Sequence, residues 1–437
     1  MRRKHLAFVA AATASGMVLA ACGGDDGGED GEQAGGEATG APALEGTGPI
    51  TLVQGKDTAG VVQGILDQWN SEHPDEEVTL IELPESADQQ RAQMIQNAET
   101  QSDAYSVLSV DNVWTAEFAA NRYIVELPES EFPVDEMLEP VVESAKYLDK
   151  LYAMPHASDG GMLYYRTDLL EAAGIAEPPA TWQEMLDQCE QIQATPEGSG
   201  VECYAGQFEK YEGLTVNASE AINSAGGVIT DDEGKPNVNT PEAAEGLNFL
   251  VNGFKEGYIP AEAITYKEEE GRRAFQEGKL IFHRQWPYQY NLANATDGSS
   301  AVAGKFAAAP LPGLDGPGAS SLGGHALGIS TYAPNKASAL EFIKFYTNVE
   351  NNTEFLEKGA LAPIYTAIYD DTALQEKYPY LPVLKESILS AIPRPKVVRY
   401  GDATLAIQDA AYGALTGDLT TEEALEQLQT KLEELTQ

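Results

Sequence analysis

Between Ile50 and Asp111 short apolar runs alternate with amphipathic segments, and this alternation restricts the possible folds more than any other feature of the chain. Ile50 to Val53 reads as a strand and Gly55-Lys56-Asp57 as a turn. The next segment places Val61, Val62, Ile65, Leu66 and Trp69 on one helical face. Val78 to Leu83 is a second strand, Gln89 to Ala98 a second helix, and Tyr105 to Val110 a third strand ending at Asp111. Strands separated by helices in this way build a largely parallel sheet with helices on both faces. Ligands of such sheets sit beyond the carboxyl ends of the strands. Asp57 and Asp111 both lie there, which singles them out among 69 acidic residues.

With 437 residues the chain is too long for one ordinary core, so two lobes are expected. The stretch Lys150 to Trp182 leads from one to the other. Tyr152 to Pro155 enters it, a polar loop passes through Asp159, and Leu163 to Tyr165 forms a strand. Thr181, with Glu184 three residues on, is a capping box that opens a new helix. Met185, Leu186, Cys189 and Ile192 mark the apolar face of that helix. Gly226 to Thr230 reads as a strand with Asp231 to Gly234 as its hairpin turn; the acidic run lacks the later glutamate of a calcium loop. Thr240-Pro241-Glu242 starts a further helix. Another helix, Glu268 to Lys279, precedes the strand Leu280 to Phe282, which leads into Arg284-Gln285-Trp286-Pro287-Tyr288. The Pro/Gly-rich run Ala308 to Gly318 and then Ser321 to Ser330 read as a return crossing, followed by a helix from Ala337 to Tyr346. An amphipathic helix capped by Thr420 and Glu423 closes the chain.

The first residues carry Arg2, Arg3 and Lys4, followed by an apolar run from Leu6 to Ala21 that is short for a membrane span and reads as a signal peptide. It ends in Leu19-Ala20-Ala21-Cys22, which resembles the lipobox of bacterial lipoproteins. That resemblance implies cleavage before Cys22, lipid on its sulfur and attachment to a membrane. Gly23 to Gly48 has almost no large apolar side chains, cannot bury enough surface to offset ordering, and reads as a disordered tether. Cys189 and Cys203 are then the remaining thiols. In an exported protein, at a spacing that is not CxxC, they are expected to form a disulfide rather than a metal or redox pair.

A formal net charge of −42 repels polyphosphate and argues against nucleic acid as a partner. There is no GxSxG and no HExxH, and the histidines at 73, 156, 283 and 325 have no metal-ligand spacing, so neither a metal nor a cofactor is expected. Trp286 and Tyr288 emerge at a strand end. A sugar offers an apolar C–H face and a rim of hydroxyls, and so suits an aromatic platform beside carboxylates; the other reading of Trp286 is a core residue. Two function classes fit: a sugar-binding module, and a secreted glycoside hydrolase whose two carboxylates stand about 5–5.5 or 6.5–9.5 Å apart.

From about Ile50 to Leu435 the chain resembles family 1 extracellular solute-binding proteins of ABC sugar importers, and within them the trehalose/maltose-binding lipoproteins of actinobacteria. The strings that carry this are WNSEHP, ELPESADQQRAQM, YSVLSVDNVWTAEFAA, GMLYYRTDLL, GQFEKYEGLTVN, FHRQWPYQYNLA, APLPG, SLGGHALGIS and IPRP, in this order. The resemblance implies an α/β, two-lobed periplasmic-binding-protein-like fold of type II, each lobe a mostly parallel sheet flanked by helices. The expected divisions are a signal peptide at 1–21 and a lipidated Cys with its tether at 22–48. One lobe would comprise 49–155 with 321–370, the other 156–320 with 371–437. The implied function is not enzymatic: a monomer captures a neutral α-glucoside disaccharide and delivers it to the permease subunits of an ABC importer. Carried over by position, the ligand-binding residues would be Asp57, Arg91, Asp111, Asp159, Trp286, Tyr288, Gly324, His325 and Arg394. Some relatives carry an aromatic two residues before the interlobe Asp, where this chain has Ala157, and some carry Trp where it has His325. Both differences alter the stacking surface.

Overall fold

The computed structural model describes residues 44–231 and 233–435. The signal peptide and the lipidation of Cys22 lie outside the described residues. Of the expected tether, residues 44–48 are described, and they are fixed. The carbonyls of Glu45 and Gly46 accept the free amides of Lys336 and Ala337 at 3.0 Å each, supplying from a distant segment the partners that a helix start lacks.

The first sheet begins with strands β1 (Ile50–Gly55), β2 (Val78–Leu83) and β3 (Val107–Asp111), connected through helices α1 (Val62–Glu72) and α2 (Ala87–Glu99). β1 lies parallel to both neighbours, with Ile50 opposite Val78 and Leu52 opposite Val107. Val62, Ile65, Leu66 and Trp69 of α1 are buried at the expected helical spacing. Each such side chain contributes about 1.5–3 kcal/mol on burial, which holds the helix to its sheet.

Strand β4 (Ala153–Gly160) also belongs to this sheet, and after Gly161 the chain enters the second sheet as β5 (Met162–Arg166). Helix α3 (Trp182–Gln193) follows, opened by the Thr181–Glu184 capping box, then β6 (Glu202–Ala205) and helices α4 (Glu212–Ser224), α5 (Pro241–Glu256) and α6 (Glu268–Gln276). Strands β7 (Leu280–Gln285) and β8 (Phe306–Ala309) complete the second sheet; β9 (Leu322–Ile329) returns to the first. Helix α7 (Lys336–Tyr346) packs there, and α8 (Tyr400–Thr416) and α9 (Thr421–Leu435) pack in the second lobe.

The strand orders are β2-β1-β3-β9-β4 and β8-β5-β7-β6. In each sheet one strand runs against the rest: β9 is antiparallel to β3 and β4, and β5 is antiparallel to β8 and β7. Each reversed strand is the one by which the chain arrives from the other lobe. It therefore enters from the edge facing the cleft.

Two local expectations change, and the expected disulfide is present. Asp159 sits in a strand, not a loop, because β4 continues to Gly160 by pairing with β9; the first sheet thus extends past residue 155. No strand forms at 226–230, where Thr230 makes a single bridge to Pro236. The turn exists nonetheless, its Asp231 side chain accepting the amides of Glu233 and Lys235 at 2.9 Å. Cys189 on α3 and Cys203 on β6 are bridged, with Cα atoms 5.4 Å apart, tying the helix to the strand beside it.

Candidate functional site

A cavity of about 310 Å³ lies between the two sheets, at the carboxyl ends of β1 and β3. Asp57, Asp111, Asp159, Gly324 and His325 line it from the first sheet and its turns, Trp286 and Tyr288 from the second, and Arg394 from the last crossing. Arg91 does not line it. Its guanidinium makes a bidentate pair with Glu117, at 2.7 and 2.5 Å, and lies outside the cavity.

The eight expected residues that line it differ in how free they are to meet a ligand. Asp57 uses both oxygens to cap α1, accepting the amides of Gly60 and Val62 at 2.8 Å each. Asp111 accepts Arg394 Nη2 at 3.0 Å and the amide of Val113 at 3.3 Å. Arg394 is only 3% exposed, and it also donates to Asn112 Oδ1 at 3.1 Å and to Glu212 Oε1 at 2.5 Å. It therefore joins Asp111 of one lobe to Glu212 of the other, and its Nε is left without a partner among the described residues. Tyr288 donates its hydroxyl to Glu269 at 2.9 Å.

Asp159 is the exception. It accepts no hydrogen bond among the described residues. Burial pushes its carboxyl up to about 7; the charge of Arg284 partly offsets this and that of Asp111 adds to it. An ionised carboxylate is acceptor-only and holds several lone pairs, so hydroxyl donors are what this site lacks. Beside it at Gly323 stands Trp286, half-buried, with the guanidinium of Arg284 over one part of its ring system. A Cβ added at Gly323 would come within 2.9 Å of that indole, so the absent side chain is what lets the ring reach across to β9. Gly324 has φ +115°, and a Cβ there would stand 2.4 Å from the carbonyl of Ala157; its part in the site is to let the strand bulge beside His325.

Several lining residues had no clear signal in the sequence. His156 packs edge-on against Tyr346 and meets Ser109 Oγ through Nε2 at 2.9 Å. Burial, with His325 6.2 Å away ring to ring, pushes it down to about 3; burial lowers His325 also, so both imidazoles are neutral at ordinary pH. Glu212 holds Tyr400 and Thr404 at 2.5 and 2.7 Å besides Arg394. These partners lie far away in the chain, so no local pattern marks them. A neutral donor–acceptor imidazole, free carboxylate oxygens and an indole surface form an environment for a polyhydroxylated ligand. Among the described residues no group of His, Cys, Asp and Glu could hold a metal ion.

Residues 54–353 match the family model described as bacterial extracellular solute-binding protein. A probable ABC transporter-binding protein of Deinococcus radiodurans is 32% identical over 365 residues, covering 81% of this chain and 86% of that protein. Maltose-bound MalE3 of T. maritima superposes with a TM-score of 0.84 at 32% identity, over 89% of this chain and 99% of that one. An ABC-transporter solute-binding protein of Agrobacterium radiobacter K84 in complex with ribitol shares the fold, with a TM-score of 0.78 at 23% identity, over 90% and 99%.

Proposed function

The chain belongs to the bacterial extracellular solute-binding proteins, as a sugar-binding component of an ABC importer, and from that premise we propose that it captures a neutral α-glucoside disaccharide of the trehalose/maltose type. The observation that supports this is that Asp159, a carboxylate without a protein partner, and the indole of Trp286 line the same cavity, side by side at Gly323. The pyranose face would lie on Trp286 while hydroxyls donate to Asp159 and Asp111. His156 and His325, both neutral, would donate or accept at the rim. The two lobes would close on the sugar, and the closed form would be presented to the permease subunits. Similarity to the maltose-bound MalE3 supports the disaccharide class. Hydrolysis, the other class open from sequence, is not what the family does; its members are binding proteins.

In this reading the protein is lipid-anchored through Cys22 on the outer face of the cell membrane, and the following residues act as its tether. No described helix is long and apolar enough to cross a membrane. The test is calorimetry against trehalose, maltose, sucrose, cellobiose and xylobiose, with membrane fractionation of Cys22→Ser. Saturable 1:1 binding of an α-glucoside, with the variant lost from the membrane or unprocessed, is the expected result. Preference for a β-linked sugar, or unchanged fractionation, would overturn the respective part.

A further inference from the structure

We infer that Asp88, which lies outside the cavity, sets the affinity of the cleft by capping a helix of the opposite lobe when the lobes meet. Asp88 stands in the first turn of α2, a helix packed on β1, β2 and β3 of the first sheet. Its Oδ2 accepts the backbone amide of Glu212 at 2.9 Å. Glu212 is the first residue of α4, which packs against α5 and α8 in the second lobe. Tyr211, at the cap position of α4, supplies no side-chain acceptor, so the cap comes from the other lobe. Oδ1 of Asp88 also receives Gln408 Nε2 of α8 at 3.4 Å. One carboxylate of the first lobe is thus engaged by two helices of the second.

The electrostatics explain why an acid stands there. The amino ends of α2 and α4 meet at this point, and each carries roughly half a positive charge. Brought together alone they would repel. A negative charge between them reverses the sign of the interaction. One turn along α2 the same face meets α8 again: a Cβ at Gly401 would come within 2.3 Å of the Arg91 guanidinium. Arg91 is therefore a contact between lobes, not a ligand residue.

When the lobes part, the Glu212 amide returns to water and Asp88 loses its partner. The bond exists only in the closed form, so what it contributes goes into closure, and through closure into affinity for whatever the closed form holds. This rests on the sugar-capture reading above for its ligand but not for its geometry.

The experiment uses the full chain with Asp88→Ala and Asp88→Asn, titrated with maltose, alongside spin-label distances between one site on each lobe. Asp88→Ala should weaken maltose binding by about 2- to 30-fold, the cost of a lost helix cap (about 0.5–2 kcal/mol) at 1.4 kcal/mol per decade. The loss should appear as faster release, with longer interlobe distances and an unchanged melting temperature of the ligand-free protein. Asp88→Asn, which keeps an acceptor oxygen but no charge, should fall between. Wild-type affinity and wild-type distances in Asp88→Ala would overturn the inference. Should wild-type protein bind no maltose, the sugar reading fails and the distances alone decide: a shift to longer separations in Asp88→Ala supports the cap, and no shift overturns it.

Discussion

The guanidinium carbon of Arg284 stands 3.8 Å from the centre of the Trp286 ring. Arg284 is itself immobilised: it is buried, holds Glu220 through two bonds of 2.7 and 2.6 Å, and donates to Gln207 at 3.0 Å. The indole is therefore seated on a fixed plane on one side and presented to the cavity on another. Stacking of this kind contributes up to about 2 kcal/mol when desolvated.

Trp286→Ala should weaken sugar binding by roughly tenfold or more while leaving a cooperative fold, since about 1.4 kcal/mol of lost stacking is one decade. Calorimetry and a melting curve on the same sample check this. A loss of about 3–5 kcal/mol in stability with affinity intact would identify the ring as core instead.

Asp159→Ala should cost about 10- to 150-fold in affinity, because hydrogen bonds to a charged group contribute about 1.5–3 kcal/mol. A pH series adds a signed test. With its carboxyl pushed up to about 7 in the folded protein, Asp159 favours folding while protonated. That contribution is complete below about pH 4 and lost as pH rises through about 7. Binding runs the other way, since sugar hydroxyls donate to the ionised form. Affinity should rise from pH 5 to pH 8, by up to about tenfold per unit below 7, with release of a proton. His156, pushed down to about 3, is already neutral over this range and adds no opposing trend. Asp159→Asn should flatten the profile.

Much of this was legible in the sequence where the determinants are local. The strands around Leu52 and Leu80, the apolar face of α1 and the capping box at Thr181 all rest on neighbours within a few residues, and each appears within one or two residues of its expected place. From sequence Asp159 reads as a loop residue because its strand is defined by Gly323, which lies opposite it from a distant part of the chain. Arg91 and Arg394 illustrate the limit for side chains. Both were expected at the ligand only through the family resemblance; Arg394 lines the cavity and Arg91 does not, and nothing in the sequence marks Glu117 and Glu212, which take up their charge. A guanidinium's role depends on the partner, and no spacing rule links residue 394 to residue 212.

Removing Arg394 should therefore act on stability first. Arg394→Met would leave Asp111 and Glu212 buried without their cation, at a cost of about 3–5 kcal/mol. Urea unfolding of the ligand-free protein measures it. A loss confined to sugar affinity would return Arg394 to the ligand set.

Reduction of the Cys189–Cys203 bridge, or its replacement by two serines, should lower stability by about 2–4 kcal/mol, in line with a loop of this length. Neither residue lines the cavity, so sugar affinity of the folded protein should be retained. Thermal melts with and without reductant, followed by titration, separate the two effects. Two free thiols under non-reducing denaturation would contradict the bridge.

The central claim, that a disaccharide is held by Trp286 and Asp159 together, is tested most directly by a crystal structure with the tightest sugar of the panel. The account predicts a pyranose lying on the Trp286 indole, with a hydroxyl within about 3 Å of an Asp159 carboxylate oxygen. A sugar bound elsewhere, or bound in the cavity without touching either residue, would contradict it.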